Sequence, residues 1–209
     1  MKTLKPLKNL CVVIRSPRKE EERRNAVRAT WGADLELLGA KVLFSLASPQ
    51  ETRTYEGCLF THGRDDHNDL TNRAIEIFRW FLTDENKDFT HLFMLDDDCY
   101  VVAERLAGLP WEKSDVLGHK SDWYYSGGPG ACLSKRMVEK VLYYMSRDDC
   151  VIGALLSVID MSHFKTRDVG NDFHPWKEAP WPSPTNDVVV QHYIRTPQEM
   201  LEIDKDMKP

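Results

Sequence analysis

Asp96, Asp97 and Asp98 form a run of three carboxylates directly behind the apolar stretch 91–95 (HLFML) and directly ahead of Cys99-Tyr100-Val101-Val102. Adjacent carboxylates repel one another, and each costs free energy when buried without a partner. A solvated acidic turn is the ordinary explanation for such a run. A divalent-cation site is the sharper one, because hard oxygen ligands hold Mg2+ or Mn2+. The apolar flanks favour the cation site, since a surface acidic turn rarely sits between two buried runs. Strand-end aspartates also serve phosphohydrolases, so the triplet alone leaves both chemistries open.

Three further features carry chemistry. The run 126–134 (SGGPGACLS) is built of small residues and precedes a helix-like stretch. It reads as a tight turn with glycines at positive φ, or as backbone that passes close to a ligand. It lacks the Lys-Ser/Thr of a P-loop, which argues against an NTP cradle. Asp148 and Asp149 open the next helix-like stretch, where the helix dipole favours acids; a carboxylate there is also a candidate general base for a hydroxyl. His192 lies in the strand-like run Val189-Val190-Gln191-His192-Tyr193. A lone strand histidine is usually structural, and gains weight only if its strand lies beside the aspartates.

The elements that must position these residues alternate. Runs 9–16, 41–48, 58–61, 91–95, 116–119 and 187–194 read as strands. Stretch 20–31, introduced by Ser16-Pro17 and stopped at Gly32, reads as a helix. So do 69–86, with apolar residues at i, i+4, i+7 and i+8, then 135–145 and a stretch from 148 or 149 to about 159. Segment 162–184, rich in proline and carrying Trp176 and Trp181, reads as loop. Thr196-Pro197-Gln198-Glu199 is a capping box that starts a C-terminal helix. Strand–helix alternation implies an α/β fold with a largely parallel sheet, whose ligands bind at the carboxyl ends of strands. That rule singles out the end of 91–95.

Composition sets the limits. The 209 residues carry 28 Lys+Arg against 33 Asp+Glu, a net charge of −5. A nonspecific nucleic-acid binder normally shows a basic surplus, so no nucleic-acid partner is expected. An anionic ligand must then be met by a few placed cations or a metal rather than by the overall field. Nothing approaches the ~20 apolar residues of a membrane-spanning helix. The length suits one domain, residues 1–209. Cys11, Cys58, Cys99, Cys132 and Cys150 form no CxxC pair, and no N-x-Ser/Thr sequon occurs. Both facts lean towards a reducing compartment, with a Cys132–Cys150 bridge left open.

The order of these pieces resembles a family: the inverting glycosyltransferases that include Fringe, the β-1,3-galactosyl- and β-1,3-N-acetylglucosaminyltransferases and the core 1 galactosyltransferases. The resemblance spans roughly residues 9 to 200. Arg24 to Gly32 (RNAVRATWG) is similar to the family's R-x-A-x-R-x-T-W-G helix. Asp65 to Arg73 (DDHNDLTNR) resembles its D-x-Y-x-N-L-T-x-K stretch, with Asp69 in place of Asn and Arg73 in place of Lys. Arg79-Trp80, the D-D-D-x-(Y/F)-V string at Asp96–Val101, the glycine loop 126–134, Asp148 to Gly153 (DDCVIG) and Gln191-His192-Tyr193 follow in the family's order.

The resemblance implies a GT-A-type, nucleotide-sugar-binding α/β fold with a mixed, mostly parallel central sheet flanked by helices. It implies a Mn2+-dependent (or Mg2+-dependent) inverting transfer of a hexose from a UDP-sugar to a glycan or glycoprotein hydroxyl, galactose first and N-acetylglucosamine second. Asp98 and His192 would be metal ligands and Asp149 the general base. Asp96 and Asp97 would lie at the donor nucleotide, Asp96 on its ribose. Gly127, Gly128 and Gly130 would let the backbone approach the donor sugar, and Arg28 and Arg73 are candidate diphosphate contacts. Trp123 and Tyr124 are candidates for stacking on a sugar. Family members usually carry a membrane anchor; this chain shows none, so a cytoplasmic or otherwise soluble bacterial or viral relative is expected, with the Golgi lumen the alternative for a chain cut from its anchor. Two other classes compete: a glycan-binding module without catalysis, and a phosphohydrolase, which would need a second His/Asp cluster for a second metal.

Overall fold

The computed structural model describes residues 5–50, 52–118, 130–145, 166–168, 173–174, 189–192 and 194–208. Its strands, in chain order, are β1 Leu10–Arg15, β2 Lys41–Ser48, β3 Arg53–Tyr55, β4 Cys58–His62, β5 His91–Asp96, β6 Tyr100–Val101, β7 Val116–Gly118, β8 Ala131–Ser134, β9 Thr166–Asp168, β10 Phe173–His174 and β11 Val190–Gln191. The helices are α1 Glu21–Ala29, α2 Trp31–Leu37, α3 Leu70–Phe81, α4 Ala103–Gly108, α5 Lys135–Met145 and α6 Pro197–Met207.

An 8-stranded sheet runs in the order β3-β4-β2-β1-β5-β8-β7-β9. Strands β1, β2, β4, β5, β7 and β9 point one way, and β3 and β8 run against them. The expected mixed, mostly parallel α/β sheet is therefore present. Strands β1 and β5 lie at its centre and bury side chains on both faces, so each reads as an unbroken apolar run. Leu10, Val12, Ile14, Phe93 and Leu95 enter the core beneath α1, α2, α4 and α6. Cys11, Val13, Leu92 and Met94 enter the core beneath α3 and α5.

Several elements differ from expectation for local reasons. The first helix neither starts on Ser16-Pro17 nor ends at Gly32. It begins at Glu21 and breaks at Thr30, whose backbone sits at φ −124°, ψ −122°. The Thr30 hydroxyl donates to the Ala26 carbonyl (2.7 Å), and the chain resumes as α2 straight through Gly32. The third helix is shorter than 69–86. It closes after Phe81 because the Trp80 carbonyl is taken by the Thr83 hydroxyl and the Asn86 amide, each at 2.8 Å.

Strand β3, not foreseen, is an exposed edge strand joined to β4 by a turn with Glu56 at φ 47° and Gly57 at φ 72°. Two successive positive φ values are the type I′ geometry that matches hairpin twist. Within 162–184, expected as loop, β9 pairs with β7 and β10 with β11. Helix α5 occupies 135–145 as expected, and α6 begins on the Thr196/Glu199 capping box with Pro197 in its first turn. Cys132 is a buried free thiol in β8. Among the described residues no helix is long and apolar enough to cross a membrane.

Candidate functional site

The aspartate triplet emerges at the carboxyl end of β5, next to the same end of β1. The register pairs Arg15 with Asp96, and the Arg15 guanidinium reaches the Asp96 carboxylate at 2.7 Å. Burial pushes the Asp96 carboxyl above the usual range, against the pull of Arg15.

Asp97 turns the other way, into the protein. It accepts a 2.6 Å hydrogen bond from the Ser16 hydroxyl, and Arg24 donates to that same hydroxyl at 3.0 Å. Arg24 also holds the Pro17 and Arg18 carbonyls at 2.6 and 3.0 Å, which fixes the β1–α1 loop. Burial raises the Asp97 carboxyl to about 7, although Ser16 and Arg23 favour its ionised form. Asp97 thus ties the triplet to the base of α1.

Asp98 meets His192. After the triplet the chain enters β6, which pairs antiparallel with β11 through Tyr100↔Gln191 and Val101↔Val190. Backbone bonds extend the ladder at both ends, Val102 N–H to the Val189 carbonyl and Ile194 N–H to the Asp98 carbonyl, each at 2.8 Å. This ladder places His192 Nε2 3.1 Å from Asp98 Oδ1. Residues nearly a hundred positions apart therefore share one site, which is the condition under which His192 gains functional weight.

The resemblance assigns Asp98 and His192 to a metal, and the donors present fit one. Asp98 Oδ1 is buried, and apart from the His192 ring it meets no hydrogen-bond donor among the described residues. Ligand atoms of Asp98, Cys99 and His192 all lie within 4.8 Å of one another. The Cys99 thiol belongs to the core, and burial first, then Asp98 and Asp96, push it well above its ordinary range. The resemblance assigns the carboxylate and the imidazole as the donors. That oxygen–nitrogen pair suits Mn2+ better than Mg2+, which prefers oxygen alone.

A cleft of about 410 Å³ opens over the triplet. Asp96, Asp97 and Asp98 line its floor, with Lys19 and Arg23 from the α1 side and Arg73 from the α3 side. Arg73 is buried; it donates to the Ser45 carbonyl at 2.8 Å and lies 3.5 Å from Asp65. Arg28 is elsewhere: its guanidinium sits 4.7 Å over the Phe44 ring and bonds Asn25 at 2.9 Å. Gly130 has φ +88°, and a Cβ there would meet the Met94 carbonyl at 2.5 Å and Leu95 Cβ at 2.8 Å. The room left by its missing side chain is filled by β5. Gly127, Gly128, Asp149, Trp123 and Tyr124 lie outside the described residues.

Four residues of the site were not singled out from the sequence as acting there: Arg15, Ser16, Arg23 and Arg24. The available signals were a cation closing an otherwise apolar strand and an Arg-Arg pair in the following helix.

No family model matches the chain. Among solved structures, the glycosyltransferase GlyE of Streptococcus pneumoniae TIGR4 superposes with a TM-score of 0.50 at 10% identity, over 99% of this chain and 61% of that one. The fold is of GT-A type. The chain thus spans about 61% of the length of GlyE. A glycosyltransferase involved in the glycosylation of the major capsid of PBCV-1 is also similar, with a TM-score of 0.49 at 14% identity, over 92% of this chain and 98% of that one.

Proposed function

We propose that the protein is a metal-dependent glycosyltransferase that moves a hexose, galactose in the first instance, from a UDP-sugar to a hydroxyl of a glycan or glycoprotein with inversion. The observation that carries this reading is the 3.1 Å contact of buried His192 with Asp98, which itself lies on the floor of a cleft at the carboxyl end of the central strands. A GT-A-type fold and its likeness to the glycosyltransferase GlyE support the same class of chemistry.

Asp98 and His192 would hold Mn2+. When bound, the metal supplies charge neutralisation at the diphosphate, which makes UDP a better leaving group. Asp96, steadied by Arg15, offers carboxylate oxygens as acceptors for ribose hydroxyls. Asp97 contributes indirectly, by anchoring the triplet to Ser16 and α1. Asp149 is assigned the base: its carboxylate takes the proton of the acceptor hydroxyl as that oxygen bonds to the anomeric carbon and the bond to the UDP oxygen breaks. One displacement turns an α-linked donor into a β-linked product.

The direct test is a panel of UDP-sugars incubated with Mn2+, scored for release of UDP and for the anomer formed. Slow hydrolysis of one donor names the sugar. An enzyme that hydrolyses none of them, yet binds free glycan, would be a binding module instead. Asp149→Asn is expected to retain UDP binding and lose transfer; an active Asp149→Asn enzyme removes Asp149 as base.

A further inference from the structure

The geometry points to Arg23 as the positioning residue that holds His192 at the metal site. The inference rests on the reading of Asp98 and His192 as metal ligands. Arg23 lies in the first turn of α1, with its side chain only 15% exposed. Its two terminal nitrogens donate to successive backbone carbonyls, Nη1 to Ile194 at 2.6 Å and Nη2 to Arg195 at 2.9 Å. The planar guanidinium makes such a two-pronged contact, which a lysine cannot reproduce. The Ile194 N–H is held at the same time by the Asp98 carbonyl at 2.8 Å.

Ile194, two residues beyond His192, is thus fastened from both sides, to the aspartate triplet by its N–H and to α1 by its carbonyl. Ladder pairing fixes the chain before His192 through Val190 and Gln191. Arg23 fixes it after. Arg195 N–H then bonds the Glu199 carboxylate at 2.7 Å, so the clamp runs straight into the cap of α6. Arg23 Nε also lies 3.9 Å from Asp97 Oδ1, which links the histidine side of the site to the aspartate side. Without the fork, the segment carrying His192 keeps its ladder but loses its tie to α1, and the imidazole is held over Asp98 less firmly.

The partners that orient metal ligands are typically worth about 10- to 100-fold in metal affinity. The experiment measures Mn2+ binding by electron paramagnetic resonance on the full chain, without donor. It compares the wild type with Asp98→Ala, Arg23→Met and Arg23→Lys, alongside thermal unfolding in EDTA. The imidazole-nitrogen coupling to Mn2+ is read from spin-echo spectra. The expected result is wild-type binding with nitrogen coupling, loss in Asp98→Ala, and binding weakened about tenfold or more in Arg23→Met with the coupling reduced. Arg23→Lys, which keeps the charge but not the fork, is expected to be weakened as well, and it decides the matter if Arg23→Met does not fold. A folded Arg23 variant that binds Mn2+ within about twofold of the wild type, while Asp98→Ala does not bind, overturns the positioning role and leaves the metal site standing. A wild type that binds no Mn2+ overturns both.

Discussion

The three aspartates have the same side chain and three different tasks, because each meets a different neighbour. Asp96 faces Arg15, Asp97 faces Ser16, and Asp98 faces His192. Asp97 depends most on its one hydrogen bond, since it is buried and the Ser16 hydroxyl is also the acceptor for Arg24. Ser16→Ala removes a donor from a buried carboxyl and an acceptor from a buried guanidinium. Its expected cost is about 1–3 kcal/mol, read as a lower urea midpoint at neutral pH. A midpoint unchanged from the wild type would show that water replaces the hydroxyl at no cost. The aspartates were visible in the sequence as a carboxylate run between apolar stretches, whereas His192 was reached only through the family resemblance, since a lone strand histidine is usually structural. Ser16, Arg15 and Arg23 were not visible, because their partners lie 81, 81 and 171 positions away, and the local signals, a cation closing an apolar strand and an Arg-Arg pair, name no partner.

At the scale of elements, the site depends on short pieces of chain being paired correctly. β6 and β11 are two residues each, too short to be specified by their own periodicity, and they exist because they pair with each other beside the central sheet. The same holds for β8. Its residues read as the tail of a glycine turn, yet it lies between β5 and β7, where Gly130 permits close approach to β5. Long periodic stretches and caps were legible instead: α5 keeps its expected bounds, and the Thr196/Glu199 box opens α6. Two expectations at this scale are testable. Thr196→Ala deletes the 3.1 Å bond to the Glu199 N–H and is expected to cost about 1 kcal/mol, measured by chemical unfolding. Gly130→Ala combines a positive φ with contact against the Met94 carbonyl. It is expected to cost about 1–3 kcal/mol or more, seen as a drop in Tm; a stable Gly130→Ala protein would mean that β5 and β8 can separate without penalty.

For the whole molecule, the sheet fastens two cores together, and the groups buried between strand ends make its stability sensitive to pH. His91 begins β5 and is buried against the edge of Trp111, with Nε2 2.9 Å from the Ser114 carbonyl and Nδ1 2.9 Å from the Thr90 hydroxyl. Nε2 therefore carries a proton, because a carbonyl can only accept, while the Thr90 hydroxyl can serve Nδ1 in either role. Burial lowers its pKa below the ordinary 6.5, despite the Ser114 bond and the nearby acids Asp115 and Glu112. As pH falls below about 6.5 the unfolded chain takes up the proton first, so His91's share of stability is full above that value and is lost on acidification through the folded pKa. Asp97, raised to about 7 by burial, works the other way and gains stability as pH falls through that value. The His91 share is therefore read as a difference: from pH 7.5 to pH 5.5 the urea midpoint is expected to change less favourably in the wild type than in His91→Gln, and equal slopes would remove His91 as a cause.

The same sheet presents Asp96, Asp97 and Asp98 to the cleft, where an acidic protein would use a metal to hold an anionic donor. Calorimetric titration of UDP into the protein, with Mn2+ and then with EDTA, tests that most directly. The expected result is UDP binding that appears with Mn2+, vanishes with EDTA and is absent in Asp98→Ala. Binding of equal strength with and without the metal, or no binding in either case, would contradict it.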